Sequence, residues 1–570
     1  MRGILGFGKL LRGCDFVFYL KLRKNIDLDG DITLAENEIK SFFQKYEIIG
    51  KDCGHIEELD QLHIHSNQRD GDVIGFLCYS IKVSHDSLVK LCSFFQEIWT
   101  DEFYSDKPYC YSNGNYICII PLMAMGEFLS QSSNPCIDQI YNITRTLAMG
   151  ETHDVCTQKI IDKKNTSMPH VHQFHTYKAK FFPRFVKSLI VSNIDLLQCD
   201  SVKIYDPFVG SGTTLVECSL MGIDSYGSDI DPLSCLISRC KTSVLVDSID
   251  SVDIIPGTFE FPQLFQKKFD KPEMRLLKEE YETEINTEIQ EINRKDGMEK
   301  LIHAIALSDA LTRKFNIRMV GTGCGRFALE IKKTSLQSLI ESGITRIRKE
   351  ITVVRLLISV YNLMPGKTSV ICEDSKGRSC DQKFDLIITS PPYIPASSGR
   401  EDYLVGKAIS MRALGLMDDS SLKDCAQNSI GTMSPQCDID MQLLPPSVNT
   451  LCKWLERDEL RKVKAKPIAA YYMDIRNSLI KDKKSIQANG KIIYIIGKSS
   501  VFYNYKSRQI LYTIECDKIF KEIAESVGLR VVKTIDVELQ KRNKNARPRS
   551  TDQYYEVAIV MEPVRSDCFY

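Results

Sequence analysis

The chain lacks the bulk features that announce a partner. Its 74 Lys and Arg are matched by 74 Asp and Glu, so the formal net charge is zero. A polyanion such as nucleic acid would have to be met by local basic patches, because no global field attracts it. Long apolar runs are missing as well, and no stretch approaches a membrane span. The opening MRGILGFGKLLRGC is apolar only until Lys9 interrupts it, and no small-residue cleavage site follows. It is expected to join the fold and not to act as a signal peptide. Paired cysteines are absent: the twenty cysteines are scattered, C-x-x-C does not occur, and Cys235 and Cys240 are the nearest two. That spacing points to free thiols in a reducing cytosol and argues against zinc. His172 and His175 have ligand-like spacing, but no carboxylate or cysteine lies near them in sequence, so no metal is expected. Internal repeats and low-complexity segments are lacking too.

What is present reads as several globular domains, with 43% hydrophobic and 26% charged residues over 570 positions. Residues 1–150 alternate strand-like runs (CDFVFYLKL, VIGFLCYSIKV, YICIIPLMAM) with a helical stretch, TLAENEIKSFFQKY, starting at Thr33. They predict an N-terminal α/β domain of unassigned role. Residues 165–264 and 351–565 carry strand, Gly-rich loop, helix, strand and acid in order, the opening of a Rossmann-like doubly wound α/β sheet. Two segments interrupt it. Residues 265–350 read as a helical insertion, with the Gly-rich VGTGCGR at 320–326 taken as a turn, and residues 394–470 as a second insertion or lid.

Four places on this sheet carry chemistry. In DPFVGSGTT, residues 206–214, Gly210 and Gly212 allow a tight turn and close approach of a ligand, and the following helix start offers N–H groups. The order G-x-x-x-x-G-K-[ST] is absent, which excludes a nucleoside-triphosphate loop. Asp229, in GSDIDP at the end of the next strand, is placed to bind a ribose hydroxyl pair, with Asp231 as the alternative. Asp374 ends the third strand, within reach of an adenine amino group. These groups describe a site for an adenosine-containing cofactor. Beside it DLIIT reads as a buried strand that delivers Ser390-Pro391-Pro392-Tyr393, where two prolines end the ladder.

DPFVGSGTT together with TSPPY resembles the amino-methyltransferases that use S-adenosylmethionine. The resemblance covers roughly 165–562 with interruptions, and Ser at the first position of the tetrapeptide is similar to the DNA cytosine-N4 type. It implies a catalytic set Ser390, Pro391, Pro392 and Tyr393. It also implies a cofactor set of Asp206, Phe208, Gly210, Gly212, Thr213, Asp229 and Asp374, with Tyr177, Lys180 and Pro183 from the preceding HTYKAKFFP segment capping the methionine end. The basic run KRNKNARPR resembles the turn before the family's last strand, and Lys541, Arg542, Lys544, Arg547 and Arg549 are expected at phosphates. The implied activity is site-specific transfer of methyl to the N4 amine of cytosine in DNA, in the cytoplasm, with a cognate restriction endonuclease as a candidate partner. Two departures matter. Many cytosine-N4 enzymes place the tetrapeptide before the Gly loop, the reverse of the order here. The N-terminal opening faintly resembles that of tRNA guanine-N2 methyltransferases, which keeps RNA as the alternative substrate. A non-catalytic nucleic-acid-binding protein is the alternative of another class.

Overall fold

In the computed structural model, six strands near the N-terminus form a sheet of their own: β1 (Val17–Leu22), β2 (Phe43–Gly50), β3 (Val73–Ile81), β4 (Phe95–Thr100), β5 (Cys110–Asn113) and β6 (Tyr116–Ile119). The structure describes residues 17–23, 26, 29–50, 73–101, 106–113, 116–150, 154–163, 168–177, 181–196, 201–246, 254, 256–263, 271–320, 326–379, 381–394, 403–436, 439–504, 506–507, 509–539 and 554–564. The strand order is β2-β3-β1-β4-β6-β5 and every pair is antiparallel. With α1 (Asp29–Phe42) after β1 and α2 (His85–Leu91) after β3, the first four strands follow the β-α-β-β-α-β plan of ferredoxin-like folds. The helix expected from Thr33 therefore starts earlier and stops at Phe42. Phe43 instead pairs with Ile81 and begins β2. A helix-compatible run has been claimed by a sheet edge, as tertiary pairing can do when local preference is weak.

Helices α3 (Leu122–Gln131), α4 (Ile137–Met149) and α5 (Val155–Asp162) follow, then α6 (Pro183–Val191), and the second sheet begins. Its elements are β7 (Lys203–Asp206), α7 (Thr213–Leu220), β8 (Asp224–Asp229) and α8 (Pro232–Val246). The first insertion holds α9 (Lys271–Asn293), α10 (Gly297–Lys314), the antiparallel pair β9 (Phe315–Val320) and β10 (Arg326–Ile331), and α11 (Leu336–Val360). The Gly-rich 320–326 segment thus follows a strand and links a hairpin, with 321–325 outside the described residues. Next come β11 (Thr368–Cys372), β12 (Phe384–Thr389), α12 (Tyr403–Ala413), α13 (Asp419–Asn428), α14 (Pro446–Glu456), α15 (Ala465–Ser485) and β13 (Ile486–Gly497). A small antiparallel pair, β14 (Ser500–Tyr503) and β15 (Ile510–Ile514), precedes α16 (Cys516–Ser526), β16 (Leu529–Leu539) and β17 (Tyr554–Pro563).

The second sheet runs β11-β8-β7-β12-β13-β17-β16. The pairs from β11 to β13 are parallel, and β17 alone is antiparallel to both of its neighbours. This is a Rossmann-like doubly wound sheet. Parallel strands covered on both faces read as unbroken apolar runs. Their alternation appears only in the packing: Leu386 and Ile388 of β12 enter one core, Phe384 and Ile387 the other. The first of these cores is continuous with that of the N-terminal sheet. The junction also has polar ties. Tyr361 stacks on Tyr109 at 4.1 Å between ring centroids and its hydroxyl donates to the Ile120 carbonyl at 2.8 Å. Among the described residues no helix is long and apolar enough to cross a membrane.

Strand order reverses between β7 and β12, where open α/β sheets bind ligands beyond the strand carboxyl ends. Both the Gly loop and Ser390 lie at that point.

Candidate functional site

The Gly loop leaves β7 directly after Asp206. Gly210 has φ +50° and Gly212 φ +76°, a region that side chains other than glycine seldom adopt. A Cβ at Gly212 would lie 2.8 Å from Ser238 Oγ and 3.0 Å from its Cα, so loop and α8 touch without a side chain between them. Asp206, only 2% exposed, organises the turn. Its carboxylate accepts from the Phe208 N–H at 3.1 Å, from Thr214 Oγ1 on α7 at 2.7 Å and from Thr389 Oγ1 at the end of β12 at 2.5 Å. One side chain therefore clamps the Gly loop to the residue before Ser390. Burial pushes the Asp206 carboxyl up to about 6, with the three hydrogen bonds opposing that rise. Phe208 turns its ring edge toward Tyr494 at 6.5 Å, and Thr213 is buried at the first position of α7.

Asp229 at the end of β8 faces the same loop. Its Oδ2 accepts from the Gly210 N–H at 2.9 Å and its Oδ1 from the Asp231 N–H at 3.0 Å. Desolvation and then the adjacent Asp231 charge raise this carboxyl to about 6. Asp231 has a different task. Its Oδ1 accepts the Leu233 and Ser234 N–H groups at 2.9 and 3.3 Å, capping the start of α8. Its Oδ2 accepts from Ser234 Oγ at 2.8 Å and from the Lys407 ammonium. Tyr177 completes this corner: its hydroxyl bonds to Ser234 Oγ at 2.9 Å and lies 3.6 Å from where a Gly210 Cβ would be. Asp374, beyond β11, closes a turn onto the Lys376 N–H at 3.0 Å and lies 3.6 Å from the Lys376 ammonium, which also pairs with Asp474.

Ser390 leaves β12 on the other side of the Asp206 clamp. It is half-buried, and among the described residues its hydroxyl makes no hydrogen bond. Pro391 is buried and Pro392 half-buried. The Tyr393 hydroxyl donates to Glu556 Oε1 on β17 at 2.6 Å, which braces the end of the turn against the antiparallel strand. Burial raises the Glu556 carboxyl, opposed by that bond.

Sequence reasoning missed Lys407, Glu556 and a carboxylate near the histidines. His172 Nε2 lies 2.9 Å from Glu217 Oε1 on α7, and His170 joins them, with ligand atoms of the three within 4.8 Å of one another. The expectation that no carboxylate approaches His172 is thus corrected: α7 supplies one 45 residues away. Burial and the neighbouring His172 lower His170 to about 3, which keeps it neutral, and the buried Lys187 ammonium offsets Glu217. The pair joins the segment before α6 to the helix after the Gly loop. Pro183 opens α6 as its first residue and is buried. Lys180 and the whole basic set Lys541, Arg542, Lys544, Arg547 and Arg549 lie outside the described residues.

No protein-family model matches the chain. It is 31% identical over 166 residues to the Type II methyltransferase M.MjaII of Methanocaldococcus jannaschii, covering 27% of this chain and 30% of that protein. It is 28% identical over 243 residues to the Type II methyltransferase M.MvaI of Kocuria varians, covering 39% and 53%. The Type II methyltransferase M.BsoBI of Geobacillus stearothermophilus is 23% identical over 348 residues, covering 55% of this chain and 66% of its own. The chain thus spans between about a third and just under two thirds of these curated relatives. Solved structures aligned to it include TrmN from Thermus thermophilus, at 8% identity and TM-score 0.29 over 96% of this chain and 100% of that one. Another is the rRNA methyltransferase aviRa from Streptomyces viridochromogenes, at 9% identity and TM-score 0.25 over 68% and 87%. Likeness at that level does not bear on what the chain does.

Proposed function

We propose that this chain transfers the methyl group of S-adenosylmethionine to the exocyclic N4 amine of cytosine in DNA. One observation carries the reading. The Gly loop and Ser390-Pro391-Pro392-Tyr393 stand side by side at the strand-order reversal, joined by the Asp206–Thr389 bond, while Asp229 faces the loop. The three curated relatives, each a Type II methyltransferase, support methyl transfer. Ser390 at the head of the tetrapeptide supports cytosine N4 as the acceptor.

The residues present suit the cofactor. Two positive-φ glycines leave a cradle without side chains, α7 opens toward it, and Asp229 retains acceptor capacity beyond its two backbone donors. Asp229 would hold the ribose hydroxyls, Tyr177 and Phe208 would wall the pocket, and Asp374 would stand at the adenine end. Bound there, S-adenosylmethionine supplies a methyl group already activated on a sulfonium.

The chain's own task is alignment, which can contribute roughly 7–11 kcal/mol when reactants are well oriented. The amine of cytosine is a weak nucleophile because its lone pair is delocalised into the ring. Ser390 Oγ and the Pro391 carbonyl would accept its hydrogens and favour a tetrahedral nitrogen, with the prolines holding the carbonyl direction. Tyr393 would lie against the base, braced by Glu556. A base in duplex DNA must be flipped out to reach this turn, at a cost of a few kcal/mol.

The test is direct. Purified protein with labelled S-adenosylmethionine should label duplex DNA and leave tRNA unlabelled, and nuclease digestion should release N4-methylcytosine. Label confined to tRNA would overturn the DNA reading. It would favour the second reading, an RNA base methyltransferase, to which the N-terminal resemblance to tRNA guanine-N2 methyltransferases points. Absence of cofactor binding would leave a non-catalytic nucleic-acid-binding protein.

A further inference from the structure

Lys407 lies on α12, in the segment that follows the Ser-Pro-Pro-Tyr turn, and no motif singles it out. Its side chain is 16% exposed. The ammonium donates to the Tyr177 hydroxyl at 2.9 Å, to Ser234 Oγ at 3.3 Å and to Asp231 Oδ2, and it sits 4.3 Å from the Tyr177 ring centroid. A single cation thus crosses from the second insertion to the corner built by the β8–α8 turn and the segment before α6. That corner contains Asp229 and Asp231, two like charges separated by one residue.

Resting on the cofactor site proposed above, we infer that Lys407 is a positioning residue. Acting through Asp231 and Tyr177, it sets the charge at Asp229 and latches α12 against the cofactor pocket.

The electrostatics favour this role over simple packing. Asp229 is raised by burial and by Asp231, and Lys407 is the cation that acts most strongly against that rise. The other titratable groups facing Asp229 do not replace it. Tyr177 is pushed up to about 12 by burial and stays neutral. Burial raises Cys425 on α13 to about 12. Cys235 on α8 is raised, first by its bond with Cys372, and that same bond lowers Cys372 on β11. Loss of the Lys407 charge should therefore move Asp229 further up and make ribose binding depend on pH in the neutral range. The contact also links two events. A pocket wall held by α12 connects cofactor binding to the segment leaving the base-side turn.

The test is calorimetric binding of S-adenosylhomocysteine between pH 5.5 and 8.5, with wild type, Lys407→Met, Lys407→Arg and Cys372→Ser. Affinity of the Met variant should fall about tenfold near pH 6.5 and recover to within about twofold of wild type at pH 8.5, a displaced titration of one carboxyl. The Arg variant should retain the wild-type profile, and Cys372→Ser should leave its midpoint in place. Hydrogen exchange in α12 should slow on ligand addition in wild type and not in Lys407→Met. An unchanged Met profile, a loss equal at every pH, or an Arg variant as impaired as Met would overturn the role of Lys407. If the Met variant fails to fold, a displaced Arg profile, or exchange in wild-type α12 that does not slow on ligand addition, still overturns the role. A wild type that binds nothing would instead overturn the cofactor reading itself.

Discussion

The ends of β7 and β8 make an instructive pair. Each delivers an aspartate to the same edge, Asp206 buried and Asp229 half-buried, and desolvation raises both carboxyls to about 6. Asp206 is surrounded by donors from the loop, α7 and β12 and is spent on holding them together. Among the described residues Asp229 receives only backbone N–H groups, and it stands beside Asp231. Similar proton affinity therefore says little about work, because desolvation acts on both while the partners differ. An aspartate tied to several elements stabilises the site; one met by backbone donors keeps acceptor capacity for the ligand proposed above.

That contrast can be broken experimentally. Asp206→Ala should give the largest effect, destabilising the protein by at least about 3 kcal/mol in denaturant unfolding, since buried hydroxyl and N–H donors lose their acceptor. Retained stability with lost cofactor affinity would exchange the roles of the two acids. Asp206→Asn tests the proton. Because the folded-state carboxyl lies near 6, above its unfolded value, its contribution is full below about pH 4 and disappears as pH rises through about 6. The Asn variant should lose that part of the pH dependence, about 3 kcal/mol across the window, in parallel unfolding curves.

Asp229→Ala should leave stability within about 1 kcal/mol and weaken cofactor binding on the order of a hundredfold by calorimetry, as expected for loss of charge-assisted bonds. Ser390→Ala is the smallest change and sharpens the contrast from the β12 side. Cofactor affinity should stay within about twofold, while single-turnover methylation slows about tenfold to a hundredfold. Equal loss of cofactor affinity in both variants would contradict the division of roles.

Much of the sheet could be read in advance because its strands announce themselves. DLIIT is an apolar run of strand length ended by two prolines, and it lies in β12. The helical reading of 265–350 holds in α11, where Ser335 Oγ accepts from the Ser338 N–H at 3.2 Å as an N-cap. The helix predicted through FFQKY failed at Phe43 because β3 offered a pairing edge that no local window contains. The hairpin of β9 and β10 was hidden for the same reason, inside a segment otherwise rich in helix formers.

The site divides along the same line. The amino-acid order alone determined the Gly loop, the acids at strand ends and the proline-locked turn, because glycine, proline and carboxylate impose their geometry and charge within a few bonds. Only the tertiary structure decided that Asp206 ties three elements together while Asp229 meets the loop, that Glu556 braces Tyr393 across 163 positions, and that Lys407 reaches Tyr177 across 230. Such contacts arise from how strands order themselves in the sheet and where insertions fold back over it, and no spacing along the chain encodes that.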